Sequence, residues 1–347
     1  MKLKLACVFA ASILGGLIGC EQPANPPGNP PASPTATPPA RVESGPAERS
    51  EMLVSTRWLV EHLTDRNVVV LHIGRPTTRG ESPDADRAAY DAAHIPGARF
   101  VHWAAIAQTN SDGVPNQLPP LDRLIALARS LGIRDTSRVI LYDDQSGLYA
   151  ARAYFAFDYL GLGSQAALLD GQWKKWAAEK RPVSLVSPPL GPPTQLAVRP
   201  KLDVLLSLSA MRQIVEAKGR VDLPVAVIDA RPASQYCGAE AGEGISSSRA
   251  GHIPGAANVF WMRNIVSEEN PVLRPVAELR AIYRAAGVEP GALVITHCRT
   301  GIQAAEAYFV AKYLGYDVRL FSGSYWEWSH AKGTDVESAG PTSKPGN

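Results

Sequence analysis

Short apolar runs alternate with amphipathic segments along most of the chain. Val68 to Ile73 and Val225 to Asp229 are apolar runs typical of parallel strands that are buried on both faces. Leu121 to Leu131 and Val276 to Ala286 carry apolar residues at the spacing of a helix face. Strands that alternate with helices predict the α/β class, with a mostly parallel sheet flanked by helices in each unit.

The same motif occurs twice, which indicates an internal repeat. The sequence His-Ile-Pro-Gly-Ala stands at residues 94–98 and again at residues 252–256, and each copy is followed by a strand, a short loop and an apolar helix. His94 and His252 belong to this turn in both copies, so we interpret them as structural residues.

The repeat divides the chain into two domains of one fold. We place them at residues 51–185 and 201–335, with a proline-containing linker over 186–200 and a flexible tail over 336–347. A chain of 347 residues, of which 45% are apolar, is long enough for two hydrophobic cores.

The N-terminus has the pattern of an export signal. Lys2 and Lys4 precede an apolar run that is too short for a comfortable membrane span, so residues 1–19 are predicted to be a signal peptide. The run ends in Leu-Ile-Gly-Cys, which resembles a bacterial lipobox and predicts lipidation of Cys20. The alternative is an ordinary signal peptide in which Cys20 has no role.

Residues 20–50 then form a proline-rich spacer without apolar periodicity. Such a spacer behind a lipid anchor predicts a protein held at the membrane of the cell envelope. It would face the periplasm if the cell is Gram-negative.

The composition argues against several classes of protein. The formal net charge is only +2 and charged residues make up 20%, so there is no basic signature of a nucleic-acid partner. Four cysteines are too few for a disulfide scaffold. The sequence has no Cys-x2-Cys or His-x3-His pair, so neither a metal site nor another cofactor is predicted.

The best candidate for chemistry is the loop His-Cys-Arg-Thr-Gly-Ile-Gln-Ala at residues 297–304, between a strand and a helix. Ligands of parallel sheets bind beyond the carboxyl ends of the strands, and free N–H groups of the next helix favour an anion there. A thiol at Cys298 is therefore expected to ionise readily. Arg299 adds positive charge, and Gly301 allows a tight turn.

The alternative for Cys298 is a small buried apolar residue, a common fate of free cysteine. A gapless alignment of the two copies places Asp144 opposite Cys298. A core position would not readily exchange a thiol for a carboxylate, since an unpaired buried charge is costly. We therefore expect both side chains to be open to solvent at the mouth of a loop.

These features resemble the rhodanese superfamily over residues 52–333. The resemblance rests on the Gly-His-Ile-Pro-Gly-Ala-Ala-Asn-Val segment at 251–259, the Asp-Ala-Arg-Pro turn at 229–232 and the Cys298 loop. The tandem form, with a degenerate first domain and an active second domain, is similar to thiosulfate and 3-mercaptopyruvate sulfurtransferases.

The resemblance implies the roles of individual residues. Cys298 corresponds to the catalytic cysteine and Arg231 to an arginine that binds the substrate. The loop amides that would bind the transferred sulfur belong to Arg299, Thr300, Gly301, Ile302 and Gln303. Phosphatases of this fold need Cys-x5-Arg, and residue 304 is alanine, which argues against phosphate ester chemistry.

The implied reaction takes sulfur from a small anionic donor, holds it as a Cys298 persulfide and passes it to a thiol, or to cyanide in vitro. A monomer without a cofactor would suffice. Arg299 resembles the thiosulfate enzymes, whereas Thr300 departs from their lysine, so 3-mercaptopyruvate stays open as the donor. The rival functions are a non-catalytic sulfur-binding module and a redox protein that pairs Cys237 with Cys298.

Overall fold

The computed structural model describes residues 45–77, 81–82, 84–217, 224–240 and 249–338. The predicted signal peptide, the lipidation site Cys20 and most of the spacer lie outside these residues, and they stay predictions. Within the described residues, no helix is both long enough and apolar enough to cross a bilayer.

The first half folds as alternating strands and helices. Its strands are β1 (Leu53–Val54), β2 (Val68–Ile73), β3 (Arg99–Val101), β4 (Arg138–Tyr142) and β5 (Ala166–Leu169). Its helices are α1 (Thr56–His62), α2 (Ala85–Ala92), α3 (Leu121–Ser130), α4 (Leu148–Tyr159) and α5 (Gln172–Ala178).

The second half repeats this arrangement. Its strands are β6 (Leu205–Leu206), β7 (Val225–Asp229), β8 (Ala257–Asn258), β9 (Leu293–His297) and β10 (Asp317–Phe321). Its helices are α6 (Leu208–Ala217), α7 (Ala233–Tyr236), α8 (Val276–Ala285), α9 (Ile302–Tyr313) and α10 (Ser324–His330).

Each half forms a five-stranded sheet of the same strand order. The first is β1-β5-β4-β2-β3 and the second is β6-β10-β9-β7-β8. Every strand pair in both sheets is parallel, which confirms the predicted α/β class with helix-flanked parallel sheets. The functional loop lies at the carboxyl end of β9, the central strand of the second sheet.

The two domains pack against each other through α4 and α9. Both helices are buried on nearly every side, which is why their sequences are apolar without a polar face. Tyr154 meets Phe309 edge to face at 4.9 Å between ring centroids, and Phe155 meets Tyr308 at 5.0 Å. One hydrophobic cluster therefore runs through both domains and fixes the loop before α9 against the first domain.

Two predicted boundaries are corrected by contacts at the chain ends. The last residues of the predicted spacer contact the second domain, where the Arg49 amide donates to the Tyr313 carbonyl at 2.8 Å. The tail was predicted from residue 336, but Glu337 pairs with His252 in an antiparallel bridge. In both places backbone hydrogen bonds, which have no signature in composition, extend the ordered chain.

Candidate active site

Cys298 follows the last residue of β9 and precedes α9 by a short loop. Only 1% of the residue is exposed, so the expectation that its side chain lies open to solvent is wrong. The Gly301 amide donates a hydrogen bond to the Cys298 sulfur over 3.2 Å. Gly301 has φ of +92°, a left-handed conformation that glycine adopts without strain.

Cys298 is nevertheless reachable, because it lines a cavity of about 180 Å³. Of the predicted loop residues, Arg299, Thr300, Ile302 and Gln303 line the same cavity. The remaining lining residues are Leu148 and Tyr149 of the first domain and Gln235, which belongs to α7. The thiol thus lies in a recess with walls from both domains.

The loop is anchored by the start of α10. The Cys298 amide donates to the Ser324 hydroxyl at 3.2 Å, and the Tyr325 amide donates to the Cys298 carbonyl at 2.9 Å. The Trp326 amide donates to the Arg299 carbonyl at 2.9 Å. Since the backbone groups around Cys298 are satisfied, the position of the sulfur is fixed before any substrate binds.

Arg231 lies elsewhere than the sequence suggested. Its side chain is 3% exposed and forms a two-pronged ion pair with Asp229, at 2.6 Å between Nη2 and Oδ2 and 3.0 Å between Nε and Oδ1. Nη2 also donates to the Gly251 carbonyl, and the guanidinium lies 4.0 Å from the centre of the Tyr325 ring. This ion pair is buried, and Arg231 is not among the described residues that line the cavity.

His297 is fully buried beside this pair. Its Nε2 atom lies 3.9 Å from an Asp229 oxygen, and burial lowers the pKa of His297 to about 4. The imidazole is therefore neutral near pH 7 and adds no charge under Cys298.

Two residues of the first domain contact the loop region and were missed in the sequence. Asn116 donates from Nδ2 to the Thr300 hydroxyl at 3.0 Å, and Gln117 donates from Nε2 to the Ser322 carbonyl at 3.1 Å. The Thr300 hydroxyl is thus engaged across the domain interface. No local pattern could reveal these contacts, because their partners are far apart in sequence and meet only after the domains pack.

The first domain has a carboxylate where the second has its thiol, but the residue is Asp143. The Trp173 amide donates to the Asp143 carbonyl, as the Tyr325 amide does to the Cys298 carbonyl. Gly147 is four positions after Asp143, whereas Gly301 is three positions after Cys298. The gapless alignment that chose Asp144 is therefore wrong by one residue, because the first loop is longer.

Asp143 shows what this loop is built to hold. Its two carboxylate oxygens accept four backbone N–H groups, from Gln145, Gly147, Tyr149 and Ala150, each at 2.8 Å. Asp143 is fully buried, yet its charge is surrounded by donors. Burial raises the pKa of Asp143 to about 6 while its amide donors act in the opposite direction, so the first domain carries in its own loop a carboxylate that is largely ionised near pH 7.

We predict that Asp143→Ala lowers the free energy of unfolding by about 3 kcal/mol, because buried amide donors lose their charged acceptor. Asp144→Ala is the matched control and should change stability by less than about 1 kcal/mol, since Asp144 is only partly buried. Urea denaturation measures both, and equal losses would contradict this account of the loop.

The turn histidines have the structural role predicted for them. His94 is fully buried, stacks on Tyr90 at 4.0 Å and has Nδ1 2.8 Å from the Tyr90 carbonyl. His252 stacks on Tyr236 at 3.8 Å and has Nδ1 2.9 Å from the Tyr236 carbonyl. The same stack in both domains confirms that these residues fix the turn.

Cys237 and Cys298 are free thiols in the structure. The Cys237 sulfur donates to the Ser234 carbonyl within its own turn at 3.5 Å, and the residue is half-buried. Nothing in the described residues links it to Cys298.

Two parallel α/β domains, one with a buried cysteine and one with a carboxylate at the same point, define a tandem repeat protein with a single candidate nucleophile. A family model, the rhodanese-like domain, matches residues 56–179 and again residues 211–331. The chain belongs to the rhodanese family.

Curated relatives carry related names. The sulfur carrier protein TtuD of Thermus thermophilus is 31% identical over 301 residues, which cover 82% of this chain and 96% of that protein. The thiosulfate sulfurtransferases of Azotobacter vinelandii and Pseudomonas aeruginosa are 32% and 34% identical, and each match covers 72% of this chain and 88% of the relative. These relatives place the chain among the sulfurtransferases.

Solved structures agree on the fold. SseA from Escherichia coli, described as a 3-mercaptopyruvate sulfotransferase, has a TM-score of 0.66 at 24% identity, covering 79% of this chain and 98% of SseA. The complex of EanB with hercynine has a TM-score of 0.71 at 21% identity, covering 85% of this chain and 70% of EanB. At this identity the likeness concerns the fold alone.

Proposed function

We propose that the protein is a thiosulfate sulfurtransferase that carries the transferred sulfur as a persulfide on Cys298. The observation that carries the proposal is the Cys298 sulfur in a recess between the domains, with the Gly301 amide 3.2 Å away and Arg299 in the wall. A thiolate is the nucleophile of such chemistry, and an amide donor with a nearby cation favours it over the thiol.

The first step is attack of the Cys298 thiolate on the outer sulfur of thiosulfate. A bond forms between the two sulfur atoms, the bond between that outer sulfur and the sulfonate breaks, and sulfite leaves as a dianion with the electron pair. The enzyme keeps a persulfide anion. The loop N–H groups would stabilise this anion, since the equivalent loop of the first domain, which is one residue longer, holds a carboxylate with its own N–H groups.

The second step returns the enzyme to its starting state. An acceptor thiolate, or cyanide in vitro, attacks the outer sulfur of the persulfide and takes it, and the Cys298 thiolate leaves. The reaction is covalent catalysis with ping-pong kinetics. Leu148 and Tyr149 form the apolar side of the recess and would limit the access of water to the persulfide.

Among the two candidate donors, the charge in the cavity wall favours thiosulfate. Arg299 contributes positive charge to the wall, and a dianion gains more from a charged donor than a monoanion does. The alternative donor is 3-mercaptopyruvate, a carboxylate with a neutral thiol, which would use the same Cys298.

We expect thiosulfate to load Cys298 at least about tenfold faster than 3-mercaptopyruvate, the ratio that one charge-assisted hydrogen bond supplies. The measurement is mass spectrometry of the peptide with Cys298, which gains one sulfur atom. Arg299→Gln should slow loading by thiosulfate more than loading by 3-mercaptopyruvate. Faster loading by 3-mercaptopyruvate would reject the donor, and no loading by either would reject the persulfide mechanism.

A further inference from the structure

A buried arginine of the first domain lies behind the Cys298 loop. Arg152 is in α4 and is fully buried. Its Nη2 atom donates to the Asn116 carbonyl at 2.6 Å, and both Nη atoms lie 3.4 Å from the Ser322 hydroxyl. Arg152 thus reaches across the domain interface toward the second domain's loop.

The described part of the chain offers this guanidinium no counter-ion. Among the described residues no carboxylate forms an ion pair with Arg152, and its buried Nε atom makes no hydrogen bond with them. Burial lowers the pKa of Arg152 to about 10, while a thiolate at Cys298 would act in the opposite direction. The side chain is therefore charged near pH 7, although a buried charge without a partner lowers stability.

The contacts of Arg152 lead to the thiol in short steps. Ser322 packs so closely against Gly301 that a Cβ on this glycine would come within 2.8 Å of the Ser322 carbonyl oxygen. Gly301 in turn donates to the Cys298 sulfur. On the other side, Asn116 accepts from Arg152 and donates to Thr300. Arg152 therefore supports the Thr300–Gly301 segment of the loop that surrounds Cys298 indirectly, through Asn116 and through Ser322.

The repeat provides an internal comparison. Glu306 occupies in α9 the position that Arg152 occupies in α4, five residues after the glycine that precedes each helix. Burial raises the pKa of Glu306 to about 8, so it is neutral near pH 7, and it accepts from Asn264 at 2.9 Å. Arg152 therefore places its positive charge near the Cys298 loop, where the proposed reaction forms an anion. Glu306 is the equivalent residue near the other loop, which already holds the carboxylate of Asp143.

We propose that Arg152, supplied by the domain without a cysteine, is a positioning residue that stabilises the anionic forms of Cys298. The inference deepens the proposed function, since the thiolate and the persulfide are the anions it would serve. It also gives the first domain a role beyond forming a wall, because the charge that favours the nucleophile comes from that domain.

The test uses the full-length chain and separates the effect of the positive charge at residue 152 from the effect of its hydrogen bonds. The rate at which iodoacetamide alkylates Cys298 is followed against pH by mass spectrometry of its peptide. Arg152→Gln should move the midpoint of this profile upward by about one pH unit, the effect of losing a nearby opposite charge. Arg152→Lys keeps the charge, so its midpoint should stay near that of the native chain. Glu306→Gln is the control, and its midpoint should not move either.

The other ionisable groups around the loop are unchanged in every variant, namely Arg299, His297, Asp229, Arg231, Tyr149 and Tyr325. An unmoved midpoint in Arg152→Gln would overturn the proposal. So would an equal shift in Arg152→Lys and Arg152→Gln, because hydrogen bonds rather than charge would then matter. Arg152→Met should fold at least as well as the native chain, and its unfolding would show a structural role instead.

Alkylation needs no sulfur donor, so this test is independent of the proposed reaction. If the midpoint shifts but thiosulfate never loads Cys298, the inference on Arg152 stands and the proposed function fails. If thiosulfate loads Cys298 in every variant at the native rate and the midpoint does not shift, the reverse holds.

Discussion

Replacing Cys298 by serine should abolish sulfur transfer from thiosulfate to cyanide while leaving the fold intact. Serine is close in size to cysteine and can accept the same hydrogen bond from the Gly301 amide. Its hydroxyl does not ionise near neutral pH and cannot form a persulfide. Because the nucleophile itself is lost, we expect a fall in kcat on the order of a thousandfold or more.

The assay is thiocyanate formation, with circular dichroism as the check on folding. Cys237→Ser is the matched control and should keep native turnover, since the Cys237 sulfur contacts only its own turn among the described residues. Thiocyanate formation by Cys298→Ser above the rate without enzyme would refute Cys298 as the sulfur carrier. A loss in Cys237→Ser equal to that in Cys298→Ser would favour the redox pair instead.

The regular elements were largely predictable because each is specified by its own local pattern. The apolar runs at Val68–Ile73 and Val225–Asp229 are β2 and β7 with the predicted bounds. The helices α3 and α8 each end one residue before the predicted end. Burial on both faces of a parallel strand leaves a signal that needs no knowledge of the partner strand.

The environment of Cys298 was predicted less well, and the reason is physical. The argument for an exposed loop assumed that a carboxylate at the equivalent position must reach water. Asp143 is instead buried and stabilised by four backbone amides of its own loop. Backbone donors offset much of the cost of burying a charge, and a strand-to-helix loop supplies them, although burial still raises the pKa of Asp143 to about 6. A carboxylate at the position equivalent to Cys298 therefore indicates that the loop can hold an anion. It does not indicate that the side chain is exposed to solvent.

The contribution of the first domain left only one signal in the sequence. Asn116 contacts Thr300 and Arg152 contacts Ser322 only because the two domains pack together, and no spacing within either domain encodes those contacts. The single helpful feature was an arginine inside the apolar α4 sequence, whose burial could be inferred but whose partner could not.

Two roles of Arg231 can be distinguished: binding of the substrate, which the resemblance implies, and stabilisation of the fold through its ion pair with Asp229. Arg231→Ala should lower the free energy of unfolding by about 3–5 kcal/mol, because it leaves the Asp229 carboxylate buried without its cation. Urea denaturation measures this loss. A substrate-binding role alone, as the resemblance implies, would instead lower kcat/KM for thiosulfate with native stability.

Removing both charges distinguishes these two roles. In the double variant Asp229→Asn with Arg231→Met, no unpaired charge remains, so much of the lost stability should return. If kcat/KM for thiosulfate returns with it, Arg231 acts by holding the strand end beneath the loop. If stability returns and kcat/KM stays low, Arg231 binds the donor in a conformation in which it leaves Asp229. Native stability of the single variant Arg231→Ala would contradict the buried ion pair as a stabilising contact, since a carboxylate enclosed at 0% exposure cannot lose its cation without cost.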